Sequence, residues 1–261
     1  MNLYGFRAGR TPLLVSMPHT GTHLPDWLMP RLTSAAKAQP DTDWHLEQLY
    51  DFLEEIGASA LVATHSRYVV DLNRPPDNAN LYPGQDTTGI VPLDTFHQEP
   101  LYLRGFEPLE SEIAGRIATY WKPYHAKLAE ELARLRKEHG YALLWDAHSI
   151  LSVVPRFFEG TLPDFNLGTA DGRSCAPGLG ESLLETISGY SKVLNGRFKG
   201  GYITRTYGDP VNKVHAVQLE LSESVYMEEQ APFRFREPLA RKVRPYLRAL
   251  LDRMQGFAPI A

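Results

Sequence analysis

The chain has 261 residues, 43% of them hydrophobic and 22% charged, with a formal net charge of −4, an ordinary balance for a globular protein that buries a sizeable core. Its slight acidity and dispersed Lys and Arg give no electrostatic footprint for nucleic acid, and no apolar run approaches the roughly 20 residues of a membrane span. A lone cysteine, Cys175, excludes an internal disulfide and suits a reducing, cytoplasmic setting, as does the lack of a signal-peptide core in Met1 to Arg10.

In chain order, Pro12 to Met17 (PLLVSM) predicts a strand that breaks into a turn-rich loop carrying His19 and His23. Asp41, Thr42 and Asp43 are N-cap types ahead of Leu46, Leu49, Tyr50, Leu53 and Ile56 at helical spacing, so a helix is predicted from there to Gly57. Residues 59–64 and 67–74 read as strands, the second halted by Pro75-Pro76. Residues 77–101 form a long loop rich in Pro, Gly, Asp and Asn, and such loops are usually functional. The longest helical pattern runs over 108–139, where Pro123 should kink or split it. Gly140 ends that helix, and Tyr141 to Trp145 predicts a strand buried on both faces, ending in Asp146-Ala-His-Ser149. A second loop (153–175), a helix (178–188), a turn and strand (200–208), an interior strand (215–221) and an amphipathic helix (237–254) complete the chain. With no repeat and no dividing linker, strands alternating with helices predict one three-layer α/β domain over residues 1–261.

Ligands of open α/β sheets sit at the carboxyl ends of the strands. His19, His148 and Glu220 end or follow apolar strands there, and Asp43 opens a helix. Imidazoles with a carboxylate are what a catalytic zinc takes, with a fourth position left for water whose pKa falls to about 7. Glu220 lies inside the apolar run Val217 to Leu221, and a buried carboxylate is costly unless paired or beside a metal. Spacing alone leaves His23, His45 and His65 in competition as ligands. Asp71 and Asn73 share a face, with Arg74 at the strand end and Arg205 in a glycine-rich stretch. Two converging guanidiniums suit a dicarboxylate, although an arginine paired with a structural acid is the plainer alternative. The phosphate-loop, dinucleotide and nucleophile-elbow motifs are missing. His125, beside Pro123, could reach the site or simply pack.

Taken together, Ser16-Met-Pro-His-Thr-Gly21, Asp43-Trp-His-Leu-Glu-Gln-Leu-Tyr50, Asp71-Leu-Asn-Arg-Pro75, Pro123-Tyr-His125, Asp146-Ala-His-Ser149, Gly200-Gly-Tyr-Ile-Thr-Arg205 and Gln218-Leu-Glu-Leu221 resemble the N-formylglutamate amidohydrolase family. The resemblance implies hydrolysis of N-formyl-L-glutamate to L-glutamate and formate, the last step of one route of histidine degradation. It also implies a distant similarity to zinc carboxypeptidases and aspartoacylases, and hence a three-layer α/β/α fold on a mixed, mostly parallel sheet. His19 and His148 would be metal ligands. The distant relatives take their carboxylate ligand three residues after the first histidine; here that residue is Thr22, and Asp43 replaces it. Glu220 would be the catalytic acid–base, Asn73 and Arg74 would hold the α-carboxylate, and Arg205 the glutamyl side chain. Arg67 or His215 would assist at the oxyanion. One divalent metal is implied, zinc before cobalt, nickel or iron. A related N-acyl amino acid amidase and a non-catalytic metabolite-binding protein are the alternatives.

Overall fold

The computed structural model describes residues 1–257. Its strands are β1 (Tyr4–Arg7), β2 (Leu13–Met17), β3 (Ser59–Ala63), β4 (Ala142–Ile150), β5 (Phe165–Gly168), β6 (Lys192–Leu194) and β7 (Val214–Ser222). The helices are α1 (Ser34–Ala38), α2 (Leu46–Leu49), α3 (Glu110–Arg116), α4 (Lys122–His139), α5 (Leu179–Thr186), α6 (Tyr202–Tyr207) and α7 (Glu237–Gln255). One seven-stranded sheet runs in the order β1-β3-β2-β4-β7-β5-β6. The β1–β3 and β5–β7 pairs are antiparallel and the others parallel, so the sheet is mixed and mostly parallel.

Side-chain alternation sorts the sheet residues between two cores. Leu143, Trp145 and Ala147 of β4 and Val217, Leu219 and Leu221 of β7 pack with Leu183 of α5 and Val243, Leu247 and Leu250 of α7. Ala142, Leu144 and Ala216 instead meet Tyr124, Leu128, Leu132 and Leu135 of α4 and Ile203 of α6. Continued along the strands, that second parity places Asp146, His148, Gln218 and Glu220 together on the face that α6 covers. β4 and β7 are buried at every residue. Their pairing continues unbroken past Trp145, with His148 directly opposite Glu220.

The expected strands at 12–17, 59–64, 141–145 and 215–221 and the helices at 178–188 and 237–254 are present. Other expectations are corrected. The helix from Asp41 shrinks to α2, because its cap residues are engaged elsewhere. Both Asp41 carboxylate oxygens accept the Phe96 N–H, at 3.1 and 3.0 Å, and His45 takes φ +63°. Residues 67–74 form turns rather than a strand, since Asp71 Oδ1 accepts the Asn73 N–H at 2.9 Å and Arg67 reaches Asp71 at 2.6 Å. Residues 200–208 fold as α6 rather than a strand. Side-chain oxygens satisfy its amino end: Gln218 Oε1 accepts from Gly201 N (2.6 Å) and Asn73 Oδ1 from Ile203 N (2.8 Å). The second loop hides β5, whose four residues Phe-Asn-Leu-Gly carry little periodicity. Before Pro123, residues Ile117–Trp121 form a π-helical turn that links α3 to α4, the usual way a helix absorbs a local misfit.

His125 packs rather than reaching a reactive centre. Its Nε2–H donates to Leu72 O (2.8 Å), Nδ1 meets the Tyr207 hydroxyl (2.9 Å), and the ring stacks on Trp121 at 3.7 Å. Burial pushes its pKa down to about 4. The unfolded chain, titrating near 6.5, therefore takes up the proton first, and stability is lost as pH falls from that value toward 4. Denaturant titrations between about pH 7.5 and about pH 4 should show about 3 kcal/mol of acid loss from this group. His125→Gln, which keeps a donor for Leu72 O, should flatten that slope; an unchanged slope contradicts the assignment.

Candidate metal centre and active site

Where β2 ends, Pro18 turns the chain and sets His19 against the segment of Asp43, whose N–H donates to His19 O at 3.1 Å. His148 comes from the far end of β4. The His19 and His148 rings lie 4.9 Å apart between centroids. Asp43 Oδ2 stands 3.1 Å from His148 Nδ1 and 3.8 Å from His19 Nδ1. One donor atom from each of these three buried residues falls within 4.8 Å of the others, the spacing of a metal's ligand shell.

The opposite nitrogen of each ring has a carboxylate beside it, and His148 Nε2 also has the Asn73 amide nitrogen. His19 Nε2 bonds to Asp71 Oδ1 at 2.7 Å, and His148 Nε2 lies 3.1 Å from Asp146 Oδ2. Such carboxylate–imidazole pairs fix ring orientation and make the free nitrogen a better ligand. Here they present both Nδ1 atoms to Asp43. Burial alone would raise the Asp71 pKa, but the His19 ring and the Arg67 guanidinium hold it well below the ordinary carboxylate range. Burial lowers His148, but Asp146 and Asp43 overcome it and raise its pKa well above the usual value. Asp71→Asn should weaken metal affinity about 10- to 100-fold, read by competition with a chromogenic chelator; unchanged affinity contradicts the ring-holding role.

Glu220 is 7% exposed. Its Oε2 accepts from Gln218 Nε2 at 3.0 Å, and Gln218 cannot flip because its own oxygen is taken by Gly201 N. Burial pushes Glu220 up to about 8; Asp43 adds to that rise while His148 opposes it. Glu223, buried just beyond β7, is pushed well up by burial and then by Asp43, Glu229 and Glu220. Among the described residues, Asp146 Oδ1 and Glu223 Oε2 are buried without a partner. This crowding of acids beside two imidazoles is the charge pattern that a divalent cation would complement.

The structure gathers His19, Asp43, His148, Glu220, Arg67 and Asn73 into one cluster. Arg67 bonds Asp71 Oδ2 at 2.6 Å and lies over Phe96 at 4.7 Å. The Asn73 amide is committed inside the protein: Nδ2 lies 2.9 Å from His148 Nε2 and 3.3 Å from Asp146 Oδ2. A Cβ on Gly201 would collide with that amide, so glycine is required where α6 approaches. Arg74 is a half-buried cation that makes a long bond to Thr88 Oγ1, at 3.4 Å. Arg205 donates from Nε to Gly200 O at 2.7 Å and lies 5.0 Å from the centre of the Tyr82 ring.

His215 is not brought to this cluster. It sits near the start of β7, opposite Leu143 and with the other parity to Glu220, where Nδ1 accepts from Ala176 N at 3.0 Å. His23 and His65 face each other at 4.8 Å, and His45 bonds Phe233 O. The ring-holding carboxylates were missed in the sequence. Asp146-x-His148 carried a signal, since alternate residues of a strand share a face; Asp71 carried none, because its partner lies 52 positions away.

Residues 11–227 match the family model described as N-formylglutamate amidohydrolase. An N-formylglutamate deformylase from Pseudomonas aeruginosa is 56% identical over 95% of this chain and 94% of its own. Another, from Pseudomonas putida, is 53% identical over 95% and 93%. The crystal structure of an N-formylglutamate amidohydrolase from Ralstonia eutropha superposes with a TM-score of 0.82 at 24% identity, covering 98% of this chain and all of that one. A protein from Agrobacterium tumefaciens gives 0.72 at 18% identity, covering 98% of this chain and 96% of its own. Both likenesses speak for the fold.

Proposed function

The chain belongs to the N-formylglutamate amidohydrolase family, and from that premise we propose that it hydrolyses N-formyl-L-glutamate to L-glutamate and formate, closing a route of histidine degradation in the cytoplasm. We place it as one catalytic domain of the three-layer, zinc-exopeptidase kind. The observation that carries the mechanism is the convergence of His19, Asp43 and His148 beside a buried Glu220.

Those three residues would hold one divalent ion, zinc in our reading; cobalt, nickel or iron suits the same donors. Such an ion, when bound, supplies Lewis acidity and eases loss of a proton from water. Glu220 does the proton work. With Oε2 occupied by Gln218, Oε1 takes the proton from the attacking water and returns it to the glutamyl nitrogen as the C–N bond breaks. The charge of a bound cation would favour the ionised form of Glu220, the form that can accept the proton. Asn73 acts by donating to Asp146 and by accepting from the start of α6, and it lines the floor under the α-carboxylate. Arg74 takes that carboxylate, and Arg205 takes the side-chain carboxylate. Arg67 stands beside His19 to stabilise the developing oxyanion.

Incubating the purified protein with N-formyl-L-glutamate should yield formate and glutamate in equal amounts. Turnover of other N-acyl amino acids without this one would favour the broader amidase reading. Tight binding without turnover would favour a metabolite-binding protein.

A further inference from the structure

Two arginines near the site, Arg74 and Arg197, make their polar contacts without a carboxylate among the described residues. Among the described residues, Arg67 has an acid partner in Asp71, whereas the polar contacts of Arg74 and Arg197 are to a hydroxyl and to carbonyls, not carboxylates. Arg197 is half-buried. Its Nε donates to Phe157 O at 2.5 Å, one terminal nitrogen reaches Asp86 O at 3.4 Å, and among the described residues Nη1 has no hydrogen-bond partner. Its guanidinium lies among Tyr82, Phe157 and Phe198, at 5.4, 5.7 and 5.4 Å from their ring centres. The Tyr82 hydroxyl bonds Gly200 O at 2.8 Å, which seats the same ring against Arg205 at 5.0 Å. Arg197 belongs to the electrostatic neighbourhood of the reacting groups. Burial and then nearby cations, Arg197 among them, lower the Arg74 pKa, and the Glu220 carboxylate partly offsets the burial that lowers Arg197.

A half-buried cation with a nitrogen left open can gain a charge-assisted bond from a ligand carboxylate. Aromatic faces and carbonyl oxygens hold a guanidinium in place while leaving its fork open to a planar carboxylate. We infer that Arg197 is a specificity-determining residue that pairs with the side-chain carboxylate of an N-formyl dicarboxylic amino acid, sharing it with Arg205 while Arg74 holds the α-carboxylate. This rests on the deformylase reading above.

The test compares kcat/KM on N-formyl-L-glutamate with that on its neutral isostere N-formyl-L-glutamine, for wild type, Arg197→Met and Arg197→Lys. In Arg197→Met the glutamate derivative should lose about 30- to 100-fold, mostly through KM, while the glutamine derivative changes by less than about 3-fold. Arg197→Lys, which keeps charge without the fork, should fall between. Equal losses on both substrates, or an unchanged preference, overturn the inference while leaving the deformylase reading intact. If thermal melting shows that Arg197→Met is unfolded, the lysine variant decides, and a wild-type preference there overturns it. Wild-type protein that releases no formate from either compound overturns the reading beneath it.

Discussion

Replacing Glu220 with Gln is expected to cut formate release by about three orders of magnitude, within the range for loss of a general acid–base, with fold and metal content intact. The substitution is nearly isosteric. Its carbonyl oxygen can still accept from Gln218 Nε2, the bond that holds Glu220 Oε2 at 3.0 Å, so the side chain stays in place without a basic atom. A second readout separates chemistry from structure. The folded-state pKa of Glu220 is about 8, raised chiefly by burial, so the folded state retains a proton that the unfolded chain releases. Stability of the metal-stripped wild type should therefore fall as pH rises from the ordinary glutamate value toward 8. Stripped Glu220→Gln, which never ionises, should melt higher than stripped wild type above that pH. A variant retaining more than about a tenth of wild-type turnover would remove Glu220 from the acid–base role.

His148→Ala should abolish metal binding and activity together. The imidazole bridges Asp43 through Nδ1, at 3.1 Å, and Asp146 through Nε2, at 3.1 Å. Truncation would delete one proposed ligand and take the imidazole away from two buried carboxylates. The penalty for leaving buried charge unpartnered, about 3 kcal/mol, should appear as a lower urea midpoint. His23→Ala and His65→Ala provide the contrast. Those rings pair with each other, His65 also against Tyr120 at 4.8 Å, so both variants should keep full metal content. Metal retained by His148→Ala, or lost from His65→Ala, would mean that the ligand set has been misassigned.

The parts of the architecture visible in the sequence are those decided by local pattern. β4 and β7 are buried on both faces, so their apolar runs announce them; the Leu128, Leu132, Leu135 stripe does the same for α4. The parts that were misjudged are decided by distant partners. Tyr202 to Tyr207, with β-branched and aromatic residues, favours a strand by propensity, yet it becomes a helix because Gln218 and Asn73 cap its amino end. Asp41 and Asp43 look like helix caps, but Phe96 N–H occupies one and His148 with Ser149 N–H the other. At the site, His19, His148 and Glu220 stood out as polar groups at the ends of apolar strands. Spacing left them in competition with His23, His45 and His65, the family resemblance chose among them, and the sheet order, with β2 and β7 on either side of β4, is what brings them together. Arg197 was invisible because its significance lies in the missing acid beside it, and a sequence cannot show a missing partner.

The most direct test of the account is turnover of N-formyl-L-glutamate by the purified protein, followed through removal of divalent metal with a chelator and its restoration. Formate release should disappear on stripping and return as about one equivalent of zinc binds, the stoichiometry of a single His–Asp–His site. Undiminished turnover by protein shown to be free of metal would contradict it.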